Sequence, residues 1–115
     1  MRFILALLVT AALAHWKPEY ASQPQEVQDW YRAAELTPAA QERFHFKSCC
    51  DHADVVNTQF RVSKTNADEW WWLDGSTWKQ IPPDIIHTDH APDGRPTLFV
   101  VNGNPVCFFP PEGGI

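Results

Sequence analysis

The sequence predicts an α+β domain in which an N-terminal helical segment packs on a small antiparallel β-sheet of about five strands. Three observations carry this expectation. Apolar residues recur at helical spacing before residue 46, β-branched and aromatic runs broken by Asp-Gly and Asn-Gly turns follow it, and cysteines stand at both ends of the strand-rich half.

The elements follow in chain order. Arg2, the apolar run Phe3 to Ala14 and the closing Ala12-Leu13-Ala14 read as a secretory signal peptide over residues 1–14, with the mature chain starting at His15. Such a run is too short to span a bilayer core of roughly 30 Å, so no stable membrane span is expected after cleavage. No Cys occupies a lipobox position. The product is therefore expected in the periplasm or outside the cell, where disulfides persist. Residues 15–46 form a leader and helical segment. Trp16, Pro18 and Pro24 mark the leader, and Val27, Trp30, Tyr31 and Ala34 form the stripe of a helix over Gln25 to Leu36. Thr37-Pro38 supplies an N-cap and a first-turn proline for a second helix reaching about Phe44.

Residues 47–115 are expected to form a disulfide-stapled β domain. Val55 to Val62 reads as one strand with Val56, Thr58, Phe60 and Val62 on one face. Glu69 to Leu73 and Thr77 to Ile81 flank Asp74-Gly75. A two-residue loop there sets Trp71 opposite Trp78, and a three-residue loop sets Trp72 there. Pro82-Pro83 ends that strand, and a polar connection runs from Asp84 to Pro96. Leu98 to Val101 and Pro105 to Phe109 form a last hairpin about Asn102-Gly103.

Three cysteines, Cys49, Cys50 and Cys107, leave one without a partner inside the chain. Adjacent Cα atoms lie about 3.8 Å apart, below the usual disulfide span of roughly 4.4–6.8 Å, which disfavours a Cys49–Cys50 bridge. A bridge from the pair to Cys107 closes a long loop and is expected instead, with Cys50 as the expected partner.

Ser48-Cys49-Cys50-Asp51, Asp54, the Trp-rich Asp-Gly hairpin with Trp78 and Ile81-Pro82-Pro83, and Cys107-Phe108-Phe109-Pro110-Pro111 occur here in that order. In this order they resemble a group of small exported proteins of alphaproteobacteria, chiefly rhizobial relatives, and of their phages. The resemblance spans roughly residues 45–115. Many members of the group carry a further Cys where this chain has Val55, and the resemblance implies that one Cys of the adjacent pair lacks that partner here. The group has no assigned function or catalytic residues, so none are implied.

Three clusters are candidate sites. Cys49, Cys50 and His52, with Asp51 and Asp54, hold the ligand types a transition metal accepts, but adjacent cysteines do not easily reach one tetrahedral ion. Asp51 or Asp54 capping the turn is the structural alternative. His87 and His90, beside Asp84 and Asp89, can share a cation or form a solvated loop titrating near neutral pH. Trp70, Trp71 and Trp72 cannot all enter one core from one strand, because a strand alternates faces. With Trp78 they are the ligand-binding candidates, unless the helix bearing Trp30 and Tyr31 covers the second face.

The formal net charge is −5, and no basic run follows a phosphate backbone, so nucleic acid and anionic membranes are poor partners. No nucleophile elbow, zinc-protease motif, phosphate loop or Cys-x-x-Cys is present, and neither an enzyme nor a cofactor is expected. The leading expectation is an exported module that binds an envelope or extracellular protein or glycan through the Trp-rich hairpin. The alternative is a small metal-binding or thiol-redox protein using the Cys-Cys-Asp-His segment.

Overall fold

Helix α1 (Gln25–Ala33) begins after Pro24 and turns Val27 and Tyr31 inward, with Trp30 half-buried beside them. This is the stripe that its spacing predicts. The computed structural model describes residues 22–113, so the expected signal peptide over 1–14 and the leader up to residue 21 lie outside the described residues. The helix stops before the expected Leu36, because Ala34 is extended and the chain behind it finds other partners. Leu36 N–H donates to Lys47 O and Cys49 N–H to Ala34 O, both at 2.9 Å. Helix α2 (Pro38–Phe44) uses both expected start signals: the Thr37 hydroxyl accepts from Ala40 N–H at 3.2 Å, and Pro38 fills the first helical position. It ends at His45, whose φ of 64° is left-handed.

One further helical turn, α3 (Cys49–His52), is capped by Ser48, whose Oγ accepts from Asp51 N–H at 3.3 Å. Neither Asp51 nor Asp54 is the cap. The expected strand Val55 to Val62 is two strands. Strand β1 (Asp54–Val56) pairs with β5 (Thr97–Val101). Past Asn57 the chain crosses to β2 (Phe60–Val62), which pairs with β3 (Trp70–Asp74). Strand β3 also pairs with β4 (Thr77–Gln80), and β5 with β6 (Asn104–Phe109). Two antiparallel three-stranded sheets result, β1-β5-β6 and β2-β3-β4, in place of one sheet of about five strands.

The split follows from the last hairpin, which turns at Asn102-Gly103 as expected, with φ of 49° and 82°. Leu98, Phe99, Phe108 and Phe109 are all buried, so both of its faces need cover. On one face Phe109 meets Trp30 at 4.6 Å between centroids and Phe99 meets Tyr31 at 6.0 Å. On the other, Phe108 meets Phe60 at 5.3 Å and Trp70 at 5.4 Å. The fold is thus helices, sheet and second sheet in layers. A single sheet under one helical layer leaves half of these rings in water, each at a cost of about 1.5–3 kcal/mol. A bulge after Phe99 lets Pro105, which has no N–H, stand opposite Val100.

The disulfide joins Cys49 to Cys107 with Cα atoms 6.0 Å apart, and Cys50 is free. Cys50 was the expected partner of Cys107. As the first residue of α3, Cys49 points into the core onto the helix-facing side of β6, and a helical step of about 100° carries Cys50 to a half-buried position away from it. Among the described residues no helix is long and apolar enough to cross a membrane.

The bridge spans 58 residues of sequence, and the chain-entropy model assigns such a loop about 4 kcal/mol. Cys49→Ser and Cys107→Ser should each lower the urea unfolding free energy by several kcal/mol, while Cys50→Ser should stay within about 0.5 kcal/mol of the parent. Peptide mapping without reduction should recover Cys49 joined to Cys107.

Candidate functional site

The Trp-rich sheet separates its rings by alternation. Phe60 and Val62 on β2 stand opposite Trp72 and Trp70, and this face packs into the core, with Trp70 and Trp72 only 5% and 4% exposed. The other face carries Arg61 opposite Trp71, Gln80 opposite Trp71 on the far side, and Leu73 opposite Trp78. Trp71, Leu73 and Trp78 are half-buried there, while Arg61 and Gln80 are exposed. Helix α1 does not cover this face, because its aromatics are engaged with Phe99 and Phe109 of the other sheet.

The register differs from both sequence expectations. Asp74 pairs with Thr77, so the two-residue loop is Gly75-Ser76 and Trp78 falls opposite Leu73 rather than Trp71 or Trp72. Gly75 takes a φ of 64°, as the first loop residue of a type II′ hairpin does, which keeps Asp74 in the ladder. The Asp74 carboxylate accepts from Lys79 Nζ at 2.6 Å across the turn.

Polar groups border the aromatic face. The Trp71 indole N–H donates to Glu69 Oε1 at 3.3 Å, and the Arg61 guanidinium lies 4.1 Å from the Trp78 ring centroid. Arg61, Glu69 and Gln80 were not singled out from sequence. Their signal was available in the period of two on β2 and β4, but only the register shows which residues flank Trp71.

The two cysteines of the Cys-Cys-Asp-His segment part company. Cys49 is consumed in the disulfide, Cys50 is half-buried beside it in sequence, and the side chain of His52 lies outside those described. Burial pushes the Cys50 thiol above its ordinary range, and Asp51 and Asp54 add to this against a weaker opposing pull from Arg32. A thiol so raised is less nucleophilic at neutral pH than an exposed one.

His87 and His90 also part company. His90 Nδ1 faces Pro110 O at 2.8 Å on the surface, whereas His87 stacks on Phe109 with centroids 3.9 Å apart and planes 11° apart. The His87 N–H donates to Phe108 O at 2.8 Å, and Ile86 bridges Phe108, so this segment runs along β6 as a short extra edge. It is fastened from the other side by Asp84, which takes two bonds from Arg43 at 2.6 and 2.7 Å and whose carbonyl accepts from the Thr37 hydroxyl. The three residues among those described whose ligand atoms gather within 4.8 Å of one another are Cys49, His87 and Cys107. His87 also lines a groove of about 620 Å³ with Trp30, Leu36, Gln41, Asp89 and Phe109.

Burial lowers the His87 pKa from its ordinary 6.5, against a smaller opposing pull from Asp89. The folded state thus holds His87 neutral where the unfolded chain takes up a proton. Its contribution is complete above the unfolded pKa of 6.5 and is lost as pH falls through the lower folded value. Unfolding free energies measured at pH 7 and pH 5 should show a smaller loss at low pH for His87→Phe than for the parent.

The tryptophans should divide into two groups. Trp70→Ala and Trp72→Ala should each cost about 3–5 kcal/mol in urea unfolding. Trp71→Ala and Trp78→Ala should cost clearly less, and acrylamide quenching of single-Trp variants should reach Trp71 and Trp78 before Trp70 and Trp72.

Comparison with family models, with curated proteins and with solved structures finds no match to this chain.

Proposed function

We propose that the protein is an exported, non-enzymatic interaction module of the cell envelope or extracellular space, and that its binding face is the outer face of β2-β3-β4. One observation carries this reading. Trp71 and Trp78 remain partly exposed on one face with Leu73 between them, although Trp70 and Trp72 on the same sheet are sealed in the core. Large aromatic rings left at a surface contribute little to folding and much to binding, where they supply rigid area at low entropic cost.

The border of the face favours a glycan. A pyranose ring offers an apolar C–H face for stacking and equatorial hydroxyls at its edge. Trp71 matches the first, and Glu69, Arg61 and Gln80 beside it match the second with acceptors and donors. The acidic balance of the chain, at a formal net charge of −5, speaks against nucleic acid and anionic lipid.

Titration with soluble peptidoglycan fragments and neutral β-linked oligosaccharides, followed by Trp fluorescence and calorimetry, tests this. The expected result is saturable binding to one of these that Trp71→Ala abolishes and Trp78→Ala weakens about tenfold or more, with the fold intact by circular dichroism. If the glycans do not bind and a photo-crosslinker at position 80 captures one defined envelope protein, the ligand is a protein and the face stands. If neither occurs, the module reading fails.

A further inference from the structure

We infer that Cys49, His87 and Cys107 form a latent metal site: once the disulfide is opened, the two thiolates and the imidazole hold one zinc-class ion, which then joins α3 to β6 in place of the covalent bond. The grouping comes from three separate parts of the chain. A ring nitrogen of His87 and both sulfur atoms lie within 4.8 Å of one another, with Cys49 and Cys107 fully buried. A tetrahedral ion with Zn–S of about 2.3 Å and Zn–N of about 2.0–2.1 Å places its ligand atoms roughly 3.5–3.8 Å apart. The three side chains therefore need only small rotations about their own bonds, because the backbone already brings the Cys49 and Cys107 Cα atoms to 6.0 Å.

His87 is prepared for this role by its surroundings. Its Nε2 is buried and has no hydrogen-bond partner, an expense that a folded protein rarely carries without a use. Its Nδ1 stands 3.6 Å from Asp89 Oδ1, the side from which a carboxylate orients a metal-bound imidazole by taking its other proton. Stacking on Phe109 and the backbone bond to Phe108 hold the ring against β6, two residues from Cys107.

Thiolate and imidazole together suit zinc, and two thiolates cancel the charge of a divalent cation, so the occupied site adds no net charge to a buried position. A water molecule completes the tetrahedral set as the fourth ligand. The balance is simple. An external dithiol supplies two electrons and two protons, the Cys49–Cys107 bond breaks to two thiols, and the reductant becomes its own disulfide. The cation then displaces both thiol protons. The metal form thus belongs to reducing surroundings and the disulfide form to oxidising ones. This site is separate from the aromatic face and does not depend on the glycan reading.

Cobalt(II) is the probe. The full mature chain is reduced with a dithiol, freed of it under anaerobic conditions and titrated. The expected result is one cobalt per chain with thiolate-to-metal charge-transfer absorption and tetrahedral d–d bands, retained in Cys50→Ser, weakened tenfold or more in His87→Ala, and absent from the oxidised protein. Should reduction loosen the fold, zinc should restore the near-ultraviolet circular dichroism and raise Tm in the parent and not in His87→Ala. Both variants keep the disulfide, so their folding is checked in the oxidised state. Absence of the charge-transfer band in the reduced parent overturns the inference. So does a band that Cys50→Ser removes and His87→Ala leaves unchanged.

Discussion

Phe99, Cys107 and Phe109 point toward the helices while Leu98 and Phe108 point toward Phe60 and Trp70, so the β5–β6 hairpin is sealed on both sides. The other elements take their places from this demand. Helix α1 brings Trp30 and Tyr31 to one face, and the second sheet brings Trp70 and Phe60 to the other. The Cys49–Cys107 bridge then fixes α3 to the middle of the helix-facing side, where Cys107 stands opposite Phe99. In a chain with so small a core, the bridge and the stacked aromatics share the work that a larger interior does in bigger domains.

The Trp-rich sheet divides its rings between a buried and an open face by strand alternation. Its inner rings complete the cover over Phe108, and the same alternation that sends Trp70 and Trp72 inward sends Trp71 outward. Trp78 reaches the same outer face from β4 because Gly75 sets the turn one residue later than Asp74-Gly75 suggests. The Arg61 guanidinium lies over Trp78, and Trp71, Leu73 and Trp78 stay half-buried on that face.

The region around His87 shows how a loop gains a position. The Arg43–Asp84 pair is exposed and contributes little by itself, but with the Thr37 hydroxyl on the Asp84 carbonyl it ties the 3₁₀ turn (Pro83–Ile85) to α2. The chain leaving that turn is then led along β6. His87 arrives over Phe109 and beside the disulfide, a neighbour 38 and 20 residues away in sequence that no spacing rule connects to it.

Much of the local structure was legible in the residues themselves. Thr37-Pro38 named the start of α2, the stripe from Val27 to Tyr31 named the buried side of α1, and Asn102-Gly103 named the last turn. The cysteine count alone left one cysteine without a partner inside the chain, and alternation alone required Trp71 to face away from Trp70 and Trp72. These properties arise between residues a few positions apart, where propensity, period and turn chemistry act without reference to the rest of the chain. Tertiary structure decided the remainder: two sheets rather than one, Cys49 rather than Cys50, and His87 rather than His90 against the sulfurs. Each of these is a choice among partners distant in sequence. The choice falls to the arrangement that buries both faces of one hairpin, a quantity no local window contains.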